Sequence, residues 1–246
     1  MSQFLRHRIL EQVEGKGSGH AGVYPTDGLI ARYQFEDNLE DSYNDYDLTT
    51  LLTDPSYGNG IINRCGSYNR TKRQYTNELT DIFHSNEFSV SLWVKTDTST
   101  VNDGGGWVSF TENPVSSTPS ISANKVVWSF DFNANNISFN VCLVNTGCES
   151  VTTPFNYCDN NWHHYVLTLD GSISAPIKLY IDNQDPCVGT CNRMIDANTS
   201  FVIGGRNDTL DTRFIGLIDQ VYVYNRALTA SDVSSLYNNN IGVQKY

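Results

Sequence analysis

The chain has 246 residues, a net charge of −11, 12% aromatic residues and only 17% charged ones. That length holds one large domain or one domain with an appendage, and the negative balance argues against nucleic acid, whose phosphates it would repel. No window approaches the roughly 18 consecutive apolar residues of a membrane span, so membrane insertion is not expected.

In chain order, Leu5, Ile9 and Val13 fall at i, i+4 spacing, which predicts a short helix over residues 3–13, too brief to be stable alone. The stretch EGKGSGHAG that follows is a flexible linker by composition. The opening MSQFLRHRILEQ lacks the continuous apolar run of a secretory signal. Residues 1–22 read either as a frayed terminus or as a docking or oligomerisation helix with its linker that orders on a partner, and 23–246 as the folded domain.

From residue 28 the pattern is almost all strand. GLIARYQF, FSVSLWVKT, GWVSFT, KVVWSFDFN, ISFNVCLV, WHHYVLTLD, PIKLYIDN, SFVIGG and IGLIDQVYVYN are punctuated by Gly, Asn, Asp and Pro, as in a sandwich. No alternation of strand and helix appears, so the sheets should be antiparallel. One convincing helix closes the chain, LTASDVSSLYN, with Thr229 as N-cap, Asp232 at N3, and Val233 and Leu236 on one face.

Six cysteines bear on redox compartment. Cys187 and Cys191 flank VGT, and Cys142 and Cys148 flank LVNTG. Both spacings read as residues opposed across a short hairpin loop, hence as disulfides and a non-reducing location, with free thiols the alternative. Cys65 and Cys158 are left to pair or stay free. Zinc lacks a C-x-x-C pair with a suitably spaced His.

In IGLIDQVYVY, Ile215, Leu217, Asp219, Val221 and Val223 share one parity. That set reads as the face toward the core, and a carboxylate placed there requires a partner.

Four segments resemble the laminin-G-like, concanavalin A-like lectin/glucanase superfamily. They are GLIARYQFEDNLEDSYNDYDLT, EFSVSLWVKTD, NNWHHYVLTLDGS with IKLYIDNQ, and FIGLIDQVYVYNRALTASDVSSLYN, together spanning residues 28–238. The resemblance implies an all-β fold, a two-sheet antiparallel jelly-roll β-sandwich with a short C-terminal helix. GNGIINRCGSYNRTKRQYTN departs from the family, carrying Arg, Lys and Cys where apolar residues are usual.

The resemblance also implies a structural calcium shared between the opening loop and the closing strand, held here by Asp41 and Asp219 with Asn44 and Asp47. The competing reading is a solvated acidic loop, with Asp219 held by Arg or by backbone N–H groups. His163 and His164 point to opposite faces of a strand, and the resemblance implies that they pack and hydrogen-bond inside the sandwich. Catalysis is not expected: none of the eight Glu residues begins the E-x-D-x-x-E strand of the superfamily's glucanases.

Glycan binding is the family's default, and two loops offer aromatic and amide groups for it. One supplies Trp107, Glu112 and Asn113; the other supplies Phe155, Tyr157 and Asn160. The expected function is a non-enzymatic lectin-like module on a cell or virion surface, docked through residues 1–22 to a capsid or tail protein, with homo-oligomers an option. A decoration or fibre protein making only protein–protein contacts is the alternative, and a glycoside hydrolase the weakest reading.

Overall fold

A computed structural model describes residues 24–50, 53–69, 72–76, 79, 87–97, 106–112, 126–132, 137–143, 147–153, 157–171, 174–191, 199–205 and 214–242. The segment expected as docking helix and linker lies outside these residues. The described strands are β1 (Leu29–Tyr33), β2 (Thr49–Thr50), β3 (Ser56–Asn59), β4 (Arg64–Tyr68), β5 (Gln74–Thr76), β6 (Glu87–Asp97), β7 (Gly106–Glu112) and β8 (Val126–Phe132). They continue with β9 (Ile137–Leu143), β10 (Gly147–Thr152), β11 (Asp159–Asp170), β12 (Ala175–Ile181), β13 (Cys187–Cys191), β14 (Thr199–Ile203) and β15 (Gly216–Tyr224); helix α1 spans Ala230–Gly242.

Two sheets result, as expected of a jelly roll. One runs β13–β12–β11–β6–β15–β4–β3, with β1 also on β15; the other runs β10–β9–β8–β7–β14–β5–β2. All strand pairings among them are antiparallel. Phe88, Val90, Leu92 and Val94 alternate along β6 and face the opposite sheet, where Phe130, Ile137, Phe139, Phe201 and Ile203 complete one core. Burying each such side chain stabilises the sandwich by roughly 1.5–3 kcal/mol.

The first sheet is covered on its outer face too. Val166, Tyr180, Tyr222 and Tyr224 form a second cluster with Val233 and Leu236 of α1. The helix begins as predicted. Asp232 donates its N–H to Thr229 Oγ1 at 3.2 Å, and Thr229 donates its N–H to Asp232 Oδ2 at 2.9 Å, a reciprocal cap. His164 belongs to this outer layer, between Trp93 (ring centroids 5.0 Å apart) and Tyr237 (5.9 Å), with Nε2 2.8 Å from Ser91 Oγ. Burial pulls its pKa down to about 3, which keeps it neutral.

Two expectations need correction. Strand β15 does not alternate uniformly, because the register shifts between Asp219 and Tyr222 and Gln220 sits at φ 48°. This bulge inserts an extra residue and resets the parity. Ile218, Val221 and Val223 face the core, whereas Asp219 lies opposite Trp93 on the outer side.

The expected opposition of cysteines is met at Cys142 and Cys148 and fails at Cys187 and Cys191. Cys148 lies directly opposite Cys142, and such antiparallel partners have Cα atoms about 4.5–5.5 Å apart, within disulfide reach. Cys187 and Cys191, by contrast, are the two ends of β13, facing Leu179 and Ala175 of β12. Four residues of extended chain separate them by about 13 Å, and Cys187 is a free thiol. A bond between them is excluded.

Between these two cysteines, Gly189 brings the edges of the two sheets together. A Cβ there would come 3.0 Å from the Ser150 carbonyl oxygen of β10.

Candidate functional site at one rim of the sandwich

The register places several strand ends at one rim. Asp97 at the end of β6 faces Asp159 at the start of β11, Gly216 at the start of β15 faces Tyr68 at the end of β4, and Ile203 at the end of β14 faces Val108 near the start of β7. The two sheets meet there, since a Cβ on Gly204 would lie 2.4 Å from Tyr68 Cδ1.

A polar and aromatic cluster is built on that rim. At the start of β11 the register shifts between Asp159 and Trp162, and Asn160 takes φ 64°, a left-handed conformation that Asn tolerates. The bulge leaves Asn160 and Asn161 exposed. Asp159 Oδ1 accepts the Asn161 N–H at 2.9 Å and lies 3.0 Å from His163 Nε2.

The other wall is the β12–β13 turn. Asp182 and Asn183 have φ 49° and 59°, and Gln184 N–H donates to the Ile181 carbonyl at 3.0 Å, as in a type I′ turn. Asp182 Oδ2 lies 2.6 Å from His163 Nδ1, while its Oδ1 accepts the His164 N–H at 2.9 Å. Tyr157 completes the cluster edge-on to His163, with ring centroids 5.1 Å apart.

His163 is thus clamped between two carboxylates. Partial burial works against its charge, but the hydrogen bonds to Asp182 and Asp159 outweigh it and raise its pKa. Burial likewise opposes the charge of Asp159, and is outweighed by the bonds from Asn161 and His163, which lower its pKa. Asp159 keeps 49% of its side chain exposed and His163 keeps 14%, so the cluster is braced from within and open to solvent on one side.

Of the expected sugar-binding residues, Tyr157 and Asn160 are in this cluster. Trp107 is the second residue of β7, at the same rim. Glu112 ends β7 opposite Thr199, five residues and about 17 Å farther along the strand. It belongs to the other rim. Asn113 and Phe155 lie outside the described residues.

Asp159, Asn161, His163 and Asp182 were missed as site residues. His163 and His164 do point to opposite faces: His164 packs between Trp93 and Tyr237, and His163 takes the hydrogen-bonding role, against Asp182 and Asp159 at the rim. The Asp-Asn pair after IKLYI was a legible signal, because both residues tolerate the left-handed backbone of a tight hairpin turn.

The expected calcium ligands are placed as follows. Asp219 Oδ2 accepts the N–H groups of Ile61 (2.8 Å) and Ile62 (3.1 Å), and Oδ1 accepts that of Gln220 (2.7 Å). Burial pushes its carboxyl up to about 8 against the pull of these amides. Asp41 Oδ1 accepts the N–H groups of Arg32 (2.8 Å) and Tyr43 (2.9 Å), Asp47 Oδ1 accepts that of Asp41 (2.8 Å), and Asn44 Nδ2 donates to the Ile30 carbonyl (2.5 Å).

Asp41 and Asp219 are not brought together. Tyr33 pairs with Val221 of β15 on one side and with Asp41 on the other, so two strand spacings, about 10 Å, intervene. Among the described residues no group of three or more His, Cys, Asp or Glu side chains converges as a metal site.

Residues 69–234 match the model of the concanavalin A-like lectin/glucanases superfamily, and the chain belongs to that superfamily. No curated protein matches it in sequence. Among solved structures it is similar to domain 4 of AbnA, a GH43 extracellular arabinanase from Geobacillus stearothermophilus, in complex with arabinotriose. That match has a TM-score of 0.65 and 23% identity, covering 85% of this chain and 98% of that one. The binding domain of Paraclostridial Mosquitocidal Protein 1 gives 0.65 and 20% over 86% and 52% of the two chains. The botulinum neurotoxin type G receptor binding domain gives 0.63 and 17% over 86% and 51%. The chain spans about half the length of these two binding domains, and at such identities the likeness shows the fold alone.

Proposed function

We propose that the protein is a non-catalytic glycan-binding module and that the rim around Tyr157, Asp159, Asn160, Asn161, His163 and Asp182 is its binding site. The carrying observation is the partly open cluster in which an aromatic ring, exposed amides and a half-exposed carboxylate are braced by His163. Sugars are held by such a set: ring C–H groups pack on aromatic faces, and hydroxyls exchange hydrogen bonds with amides and carboxylates. The likeness, over 85% of this chain and 98% of the other, to a domain solved with arabinotriose supports the reading. Binding is preferred over hydrolysis because the two carboxylates of the cluster, Asp159 and Asp182, are tied to one imidazole.

A glycan array with the full chain tests this, with arabino-oligosaccharides among the probes. Binding to at least one glycan class is expected, weakened about tenfold or more by Tyr157→Ala or Asp159→Ala. No binding to any glycan would sink the reading and favour a decoration or fibre subunit with protein contacts only. Display on a cell or virion surface, with residues 1–22 docking to a capsid or tail protein, belongs to the same proposal. Its test is deletion of those residues, after which attachment should be lost while glycan binding persists.

A further inference from the structure

We infer that backbone amides and Arg64 perform in this chain the task that the resemblance gives to a calcium ion, so that the domain holds its fold without calcium. The inference concerns the opening loop and β15, and stands independently of the glycan reading.

The geometry at Asp219 carries most of it. Strand β15 changes neighbour beside this residue: Gly216, Leu217 and Ile218 pair with β4, whereas Val221 to Tyr224 pair with β1. A gap between β1 and β4 opens where the neighbour changes, and the β3–β4 turn folds into it. Ile61 and Ile62 in that turn point their N–H groups at one carboxylate oxygen, and Gln220, freed from regular pairing by the bulge, points its own at the other. Asp219 is fully buried.

Calcium binds carboxylate oxygens at about 2.3–2.6 Å and gathers six to eight of them. Here a cation would sit among the positive ends of three N–H dipoles. The turn leaves no slack, since a Cβ on Gly60 would lie 2.3 Å from Asp219 Oδ2 and 2.5 Å from the Arg64 carbonyl oxygen.

The opening loop is satisfied in the same way. Asp41 and Asp47 accept backbone N–H groups, and Asn44 turns its amide nitrogen toward a carbonyl. Positive charge comes from Arg64, whose Nε lies 3.0 Å from Asp37 Oδ1 and whose N–H donates to Glu36 Oε2 at 3.3 Å. Arg64 belongs to the basic segment that departs from the family's apolar pattern, and its guanidinium pairs with one carboxylate of the acidic loop, Asp37.

Thermal unfolding of the full chain in EDTA and in millimolar calcium chloride, at matched ionic strength, tests the inference. The expected result is the same Tm in both, with no stoichiometric calcium retained by the purified protein. Gly60→Ala should lower Tm by several degrees, equally with and without calcium, by pushing the turn off Asp219. A calcium-dependent rise in Tm that Asp219→Asn removes, or one equivalent of retained calcium, would overturn it. The wild-type comparison decides the matter even if neither variant folds.

Discussion

Asp219 and Asp182 solve the same problem in opposite ways. Each carboxylate is drawn from water beside a turn, Asp219 at a bulge within β15 against the β3–β4 turn and Asp182 in the β12–β13 turn itself. Asp219 is satisfied by backbone N–H groups alone, and Asp182 by an imidazole together with one backbone N–H. Main-chain donors are fixed by the fold itself, so Asp219 is architecture. An imidazole on a rim is a side chain that solvent and ligands reach, so Asp182 and His163 form a brace beneath a surface. The difference separates what the family fold requires from what this chain can offer a ligand.

The sharpest way to break that contrast is Asp219→Ala. Three amides, two of them buried, lose their acceptor, and each unsatisfied buried group costs roughly 1–3 kcal/mol; a loss of several kcal/mol should appear as a lower urea midpoint. Asp182→Asn should cost less, about 1–2 kcal/mol, but should weaken glycan binding as well. Equal stability losses from the two substitutions would erase the distinction.

The pH dependence sharpens the comparison further. The Asp219 carboxyl, ordinarily near 3.8, is raised to about 8, so the folded chain holds a proton that the unfolded chain releases. Its contribution to stability therefore falls as pH climbs from about 4 to about 8. His163 is raised above its ordinary 6.5. Its contribution is complete below that value and is lost as pH rises through the folded pKa. Both effects predict a Tm that declines toward mild alkalinity, with a shallower decline in Asp219→Asn; a Tm that rises over this range would contradict both. The smallest expected effect is that of Thr229→Ala, about 1 kcal/mol from loss of the helix cap, with glycan binding unchanged.

The strands and the capped helix were legible because their signals are local. The alternation in EFSVSLWVKTD and the Thr229–Asp232 spacing need no knowledge of distant neighbours. Asp219 was half legible: a buried carboxylate must be paired, and backbone donors were among the stated options. The sequence does not show that Gln220 bulges, because the bulge arises where one strand changes partners. CVGTC read as a hairpin because a short spacer with Gly resembles a turn, although β12 and β10 hold it extended on two sides. The partners of His163 were hidden for a related reason, since they come from a bulge and a turn that parity alone does not reveal.

Gly189 has a consequence for how copies of this protein can assemble. Where β13 and β10 abut, each stands in the way of a strand from a second copy adding to the other, and Gly189 is the position at which any side chain would force these two edges apart.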